Sequence, residues 1–195
     1  MTVVSGAPRS GTSMMMRMLD RGGIPALTDG IRAPDRDNPH GYFEFEPVKK
    51  TREDASWVPG AAGRVVKMVH VLLKDLPLGR EYRVVLMRRN LREMVASQRR
   101  MLERLGRDPG KLGDERMGEI FRVQLDETEA WLRATPGFSV CPVDFNALVA
   151  NPREHLRRVS EFLRPAGAAA GAPGADLDVE AMTAVIDPEL YRNRA

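Results

Sequence analysis

Apolar positions along this 195-residue chain change their spacing in a regular way. Four short runs of aliphatic, mostly β-branched residues predict buried strands: Thr2 to Ser5, Arg64 to Val71, Tyr82 to Met87 and Ser139 to Val143. Between them the spacing opens to threes and fours. Met14, Met15, Met18 and Leu19 predict one face of a helix ending at Gly22-Gly23. Leu91, Met94, Val95, Leu102 and Leu105 predict another, closed by Gly106. Met117, Ile120, Phe121, Leu125, Trp131 and Leu132 trace a longer helix from Asp114 to Arg133, stopped by Pro136-Gly137. A last one, carrying Leu156, Val159, Phe162 and Leu163, starts near Pro152, where a first turn tolerates proline.

Fully apolar strands alternating with helices predict an α/β fold: a P-loop-type parallel sheet flanked by helices on both faces, as a single domain over residues 1–195. Such sheets collect ligands at the carboxyl ends of their strands. The segment from Thr28 to Pro47 has no period and is rich in Pro, Asp, Arg and Gly; an ordered loop of that length is usually functional. Residues 166–175 are low in complexity and expected to form a surface loop.

Composition narrows the class. No apolar run approaches the ~20 residues that cross a bilayer, and Met1-Thr-Val-Val-Ser-Gly lacks a basic segment leading into a long apolar one. A cytoplasmic protein without membrane contact is expected. The single cysteine, Cys141, rules out an intrachain disulfide or a multi-cysteine metal site and is expected to be a small buried hydrophobe.

The net charge of +3 hides a strip. From Arg80 to Arg107 nine arginines face three acids, a local balance of +6. Aromatic residues make up 6% of the chain and none interleaves the strip, which argues against a stacking surface for nucleic acid.

Gly6-Ala-Pro-Arg-Ser-Gly11-Thr12-Ser13 joins the first strand to the first helix with the glycine spacing of a phosphate-binding loop. Backbone N–H groups at such a helix start form an anion cradle. A tight turn alone would also need glycine and serine, but Arg9, Thr12 and Ser13 in this context favour an anion site. The lysine that reaches the tail of a nucleoside triphosphate is absent: Thr12 takes its place, and the cation sits three positions earlier as Arg9. Two of Met14, Met15 and Met16 are expected to be core.

A second anion station is expected where the third strand opens its helix. Arg89 stands at the strand's carboxyl end and Ser97 lies two turns into the helix, off its apolar face. Arg99, Arg100, Arg104 and Arg107 are expected to be solvated.

These two motifs together resemble the PAPS-dependent sulfotransferases, whose donor is 3′-phosphoadenosine 5′-phosphosulfate. Pro8-Arg9-Ser10-Gly11-Thr12-Ser13 is similar to their 5′-phosphosulfate loop, P-[KR]-S-G-T-[ST]. Arg89 to Ser97 is similar to their 3′-phosphate motif, R-[DN]-P-x-[DE]-x-x-x-S, with Leu91 in place of proline. Asp144-Phe-Asn-Ala-Leu-Val-Ala-Asn-Pro152 and the Asp29-to-Glu44 stretch resemble, less specifically, other parts of compact bacterial members. The resemblance implies that Arg9, Ser10, Gly11, Thr12 and Ser13 bind the 5′-phosphosulfate, that Arg89 and Ser97 bind the 3′-phosphate, and that Arg194 helps cover the nucleotide. It further implies 3′,5′-ADP as product and no metal.

Sulfuryl transfer needs charge stabilisation on the leaving oxygen and a base for the acceptor's proton. Arg9 is assigned the first role, with Lys67 holding the transferring group. Glu44 and His70 are the leading candidates for the base, with Glu46, Asp29 and Asp35 behind them. In Lys67-Met-Val-His70 a regular strand would point Lys67 and His70 to opposite faces. The acceptor is expected to be a small molecule or a glycan, with a homodimer as one way to complete its pocket. Two other readings stay open. One is a P-loop kinase or NTPase using Asp144 for magnesium, although Pro142 interrupts the strand before it; the other is a non-catalytic polyanion-binding protein.

Overall fold

The computed structural model describes residues 1–35, 38–106, 108, 112–168 and 176–187. Its strands are β1 (Thr2–Gly6), β2 (Val65–Val69), β3 (Tyr82–Arg88) and β4 (Phe138–Asp144), and its helices α1 (Thr12–Arg21), α2 (Leu91–Arg104), α3 (Asp114–Ala134), α4 (Phe145–Ala150), α5 (Pro152–Leu163) and α6 (Val179–Thr183). The strands form one all-parallel sheet in the order β2-β1-β3-β4. Gly6 lies beside both Val69 and Met87, and Arg88 beside Asp144, so all the carboxyl ends open on one edge.

Both faces of the sheet are covered. Val4, Val85, Met87 and Val143 pack with residues of α1, α4, α5 and α6. Val3, Val66 and Val84 point the other way, into a core shared with Leu132 of α3, while Leu86 meets Met94 of α2 and Leu125 of α3. Adjacent residues such as Val3 and Val4 are therefore both buried, which is why the strands read as unbroken apolar runs. None of the described helices is long and apolar enough to cross a membrane.

Local chemistry explains the boundaries. Asn90 accepts hydrogen bonds from Arg92 N and Glu93 N, so a side-chain cap starts α2 where Leu91 stands in place of proline. β2 stops at Val69, short of the expected Val71, because His70 begins a 3-10 turn that runs to Asp75. Pro142 does not interrupt β4. It sits opposite Leu86 in the edge strand, where a residue without an N–H is tolerated. The short helices α4 and α6 were not legible in the apolar pattern.

Candidate active site

A cavity of about 560 Å³ opens at the carboxyl edge of the sheet, and the loop between β1 and α1 forms its floor. Two close approaches explain the glycines of that loop. A Cβ on Gly6 would lie 2.4 Å from Ser10 Oγ, and one on Gly11 would lie 2.3 Å from the Phe145 ring. Gly11 also has φ of 94°, the left-handed region that glycine enters without strain. Arg9 adopts φ of 69°, a conformation that a non-glycine residue holds at a cost and that places its side chain in the cavity.

Helix α1 begins with no side-chain cap and no acid in its first turn, while Thr12, Ser13 and Met14 line the cavity. Its first N–H donors and the positive end of its dipole are arranged to meet an anion. Ser10 does not reach the cavity. It is fully buried under the loop, its hydroxyl has no hydrogen-bond partner among the described residues, and its backbone N–H donates to Ala7 O at 3.2 Å. Met15 and Met16 are core, whereas Met14 lines the cavity.

The end of β3 supplies the second station. Arg89 donates Nε and a terminal nitrogen to Glu93 Oε2, each at 3.1 Å, and a further N–H to Arg9 O at 3.2 Å. Its guanidinium lies 4.4 Å from the centroid of Phe145. Glu93 in turn accepts from Asn146 Nδ2 at 3.1 Å, and Asn146 accepts from Asn90 N at 3.1 Å. Arg89 is thus held by contact with a ring and by a buried carboxylate. Arg9 Nε donates to Ser97 Oγ at 3.0 Å, so side chains from the two sequence motifs meet in the same cavity.

The arginine strip disperses in three dimensions. Arg83 donates to the carbonyls of Leu163 and Arg164 at the end of α5; Arg88 pairs with Asp126 and Glu129; Arg99 pairs with Asp114. Arg100 and Arg104 are exposed, as expected of a solvated face, and both also line the cavity beside Ser97. They follow Ser97 by three and seven residues, the spacing that keeps them on its side of the helix. Arg107 and Arg194 lie outside the described residues.

The opposite wall comes from the loop between α1 and β2. Glu44 Oε1 accepts from Arg32 at 2.7 Å and lies 3.8 Å from Lys67 Nζ; its Oε2 is 3.7 Å from Lys49. Lys67 donates to the carbonyl of Tyr42, and Ser13 Oγ donates to the same oxygen at 3.4 Å, tying this loop to α1. Burial pushes the Lys67 ammonium down to about 8, against the pull of Glu44. Tyr42 donates to Asp35 at 2.7 Å and lies under the Arg32 guanidinium at 3.3 Å; burial and that hydrogen bond push its hydroxyl up to about 12.

The candidate bases separate. Glu44 lines the cavity. His70 does not: it is buried, with one ring nitrogen 3.3 Å from Gly6 O and the other 3.1 Å from Gln124 Oε1. The 3-10 turn that begins at His70 leaves its ring between the end of β1 and Gln124 of α3. Glu46 pairs with Lys49, and Asp35 holds Tyr42. Asp29 accepts from the backbone N–H groups of Glu46 and Ile31, which hold its carboxyl below the usual range. Asp144, the kinase reading's magnesium ligand, caps α4 by accepting from Ala147 N at 2.8 Å. Sequence reasoning missed Phe145, Arg32 and Tyr42, although Phe145 follows a strand end directly and Tyr42 lies in the long loop.

A parallel sheet in the order 2-1-3-4, with a phosphate-binding-type loop after its central β1, defines an α/β class whose known members include sulfotransferases. The chain has their fold. No family model matches it and no curated protein matches it. Among solved structures it is similar to the sulfotransferase domain from the Synechococcus PCC 7002 olefin synthase, at 17% identity and a TM-score of 0.57, over 98% of this chain and 78% of that one. It is similar to the sulfotransferase domain from the curacin biosynthetic pathway at 15% identity and a TM-score of 0.50, over 83% and 72% of the two chains. A sulfotransferase from Alicyclobacillus acidocaldarius matches at 16% identity and a TM-score of 0.50, over 97% and 87%. At these identities the likeness is one of fold.

Proposed function

We infer that this protein is a sulfotransferase using 3′-phosphoadenosine 5′-phosphosulfate and an acceptor hydroxyl or amine, borne by a small molecule or a glycan. The observation that carries this reading is the Arg9–Ser97 contact at 3.0 Å, which joins the α1 anion cradle to the Arg89 station across one cavity. Two separated anion stations suit a nucleotide with phosphate groups at both its 3′ and 5′ positions. The start of α1 fits such a group, because it lies at the cavity with no side-chain cap on its first N–H groups.

The donor supplies the sulfuryl group: its sulfur–oxygen bond to the 5′-phosphate breaks with the electron pair to the phosphate oxygen, as sulfur bonds to the acceptor atom. The N–H groups opening α1 hold the 5′ end, and Arg9 places a permanent positive charge where the leaving oxygen gains negative charge. Arg89, oriented by Glu93 and Phe145, holds the 3′-phosphate with Ser97. Glu44 takes the acceptor's proton, and Lys67 steadies the transferring group.

The test is incubation of the chain with sulfur-labelled donor and a panel of hydroxyl and amine acceptors, read by mass. Acceptor-dependent release of 3′,5′-ADP with a sulfated product supports the reading. Donor that stays intact with every acceptor, in protein shown to be folded, counts against it.

A further inference from the structure

The acceptor half of the cavity has more positive charge than sulfuryl transfer requires. Arg9 and Lys67 have work in the transfer itself. Arg17 and Arg32 also line this cavity, and neither has a place in that chemistry. Arg17 stands one turn after Ser13 on α1, and Ser13 binds the carbonyl of Tyr42, so Arg17 is placed next to the loop that carries Arg32. Arg17 makes no hydrogen bond or ion pair among the described residues. Arg32 commits one terminal nitrogen to Glu44 and rests its plane on Tyr42, while its other N–H donors have no partner among the described residues.

Tyr42 fixes the plane of Arg32 and the pair with Glu44 fixes its position. A guanidinium held against a ring with open N–H donors can bind two oxygens of a carboxylate or phosphate in two parallel hydrogen bonds. It is also tied to the carboxylate that faces the acceptor's proton. A hydroxyl at Glu44 and an oxyanion at Arg32 would therefore sit close together, about 5–8 Å apart from ordinary hydrogen-bond lengths.

We propose that the acceptor is itself an anion, a hydroxylated carboxylate or phosphate ester, and that Arg32 is its specificity determinant with Arg17 adding attraction. The proposal rests on the sulfotransferase reading only in naming this half of the cavity the acceptor side, so its test uses binding without turnover.

The probes are 3-hydroxybenzoate, its neutral amide 3-hydroxybenzamide, and 3-hydroxyphenyl phosphate, titrated into the full chain by ligand-observed NMR with and without 3′,5′-ADP. Both anions are expected to bind about tenfold more tightly than the amide, as a charge-assisted pair requires. The ratio of the two anions shows whether carboxylate or phosphate is preferred. Arg32→Gln should abolish the advantage, Arg32→Lys should keep only part of it, and Arg17→Gln should reduce it while leaving the fold intact by thermal melt. Equal binding of anion and amide overturns the proposal, as does an advantage that survives in a folded Arg32→Gln. Failure of 3′,5′-ADP to bind while the anion preference persists would instead count against the sulfotransferase reading alone.

Discussion

Removing Arg89 tests how the second anion station is held together. Its side chain is 9% exposed and that of its partner Glu93 is 4% exposed, so both charges sit away from water. Arg89→Met would take away both hydrogen bonds to Glu93 Oε2 and leave that carboxylate with Asn146 but without its guanidinium. Removing one partner of a buried ion pair costs about 3–5 kcal/mol. For a chain of this size that lowers the melting midpoint by on the order of 6–20 °C. The double variant Arg89→Met/Glu93→Gln removes the opposing buried charge as well while losing the same contact with Phe145, so it should regain at least ~2 kcal/mol over the single variant. Urea and thermal unfolding of both variants, with Glu93→Gln alone closing the cycle, provide the measurement. A single variant within about 1 kcal/mol of the parent, or a double variant less stable than Arg89→Met, would refute the claim that a buried ion pair organises this station. Nucleotide affinity is then best compared in the double variant, where loss of binding is not loss of fold.

Three further outcomes follow from the geometry. Gly11→Ala should lower stability by about 2–4 kcal/mol, since the new Cβ meets Phe145 at 2.3 Å and the backbone is left-handed; an unchanged melting curve would contradict the close packing. Lys67, with its ammonium pushed down to about 8, loses charge above that pH, so kcat/KM should fall through a limb near pH 8 that Lys67→Arg moves upward; a profile flat to pH 10 would remove Lys67 from the transfer. Its sign on stability is opposite: the cost of burying the ammonium is fully present below pH 8 and is relieved as pH rises toward 10.5, the ordinary lysine value. Glu44→Gln should slow turnover by about 100-fold or more at unchanged 3′,5′-ADP affinity, whereas His70→Ala should lower the melting midpoint and leave the rate of the folded fraction near that of the parent; the reverse pattern would move the base to His70.

The sheet was readable because strands buried on both faces leave no polar positions, as Val3-Val4 and Val84-Val85-Leu86-Met87 illustrate. The four longest helices followed from their apolar periods, but α4 is six residues and α6 five, too short for a period to register. Arg9 and Arg89 were legible because they stand at strand ends in recognisable spacings. That the exposed Arg100 and Arg104 also border the cavity was not, since a charged helix face looks the same in sequence whether it meets open water or a cavity mouth. The burial of His70 was hidden because it depends on the chain leaving β2 for a 3-10 turn at that residue. Arg32, Tyr42 and Glu44 come together only through a loop whose geometry no periodicity encodes.

With two separated stations, one cavity is expected to hold a nucleotide by two separated anionic groups. Competitive calorimetry of 3′,5′-ADP against ATP, each with and without magnesium, tests it most directly. 3′,5′-ADP is expected to bind at least tenfold more tightly than ATP, with an affinity that magnesium leaves unchanged. Tighter binding of ATP, strengthened by magnesium, would contradict it.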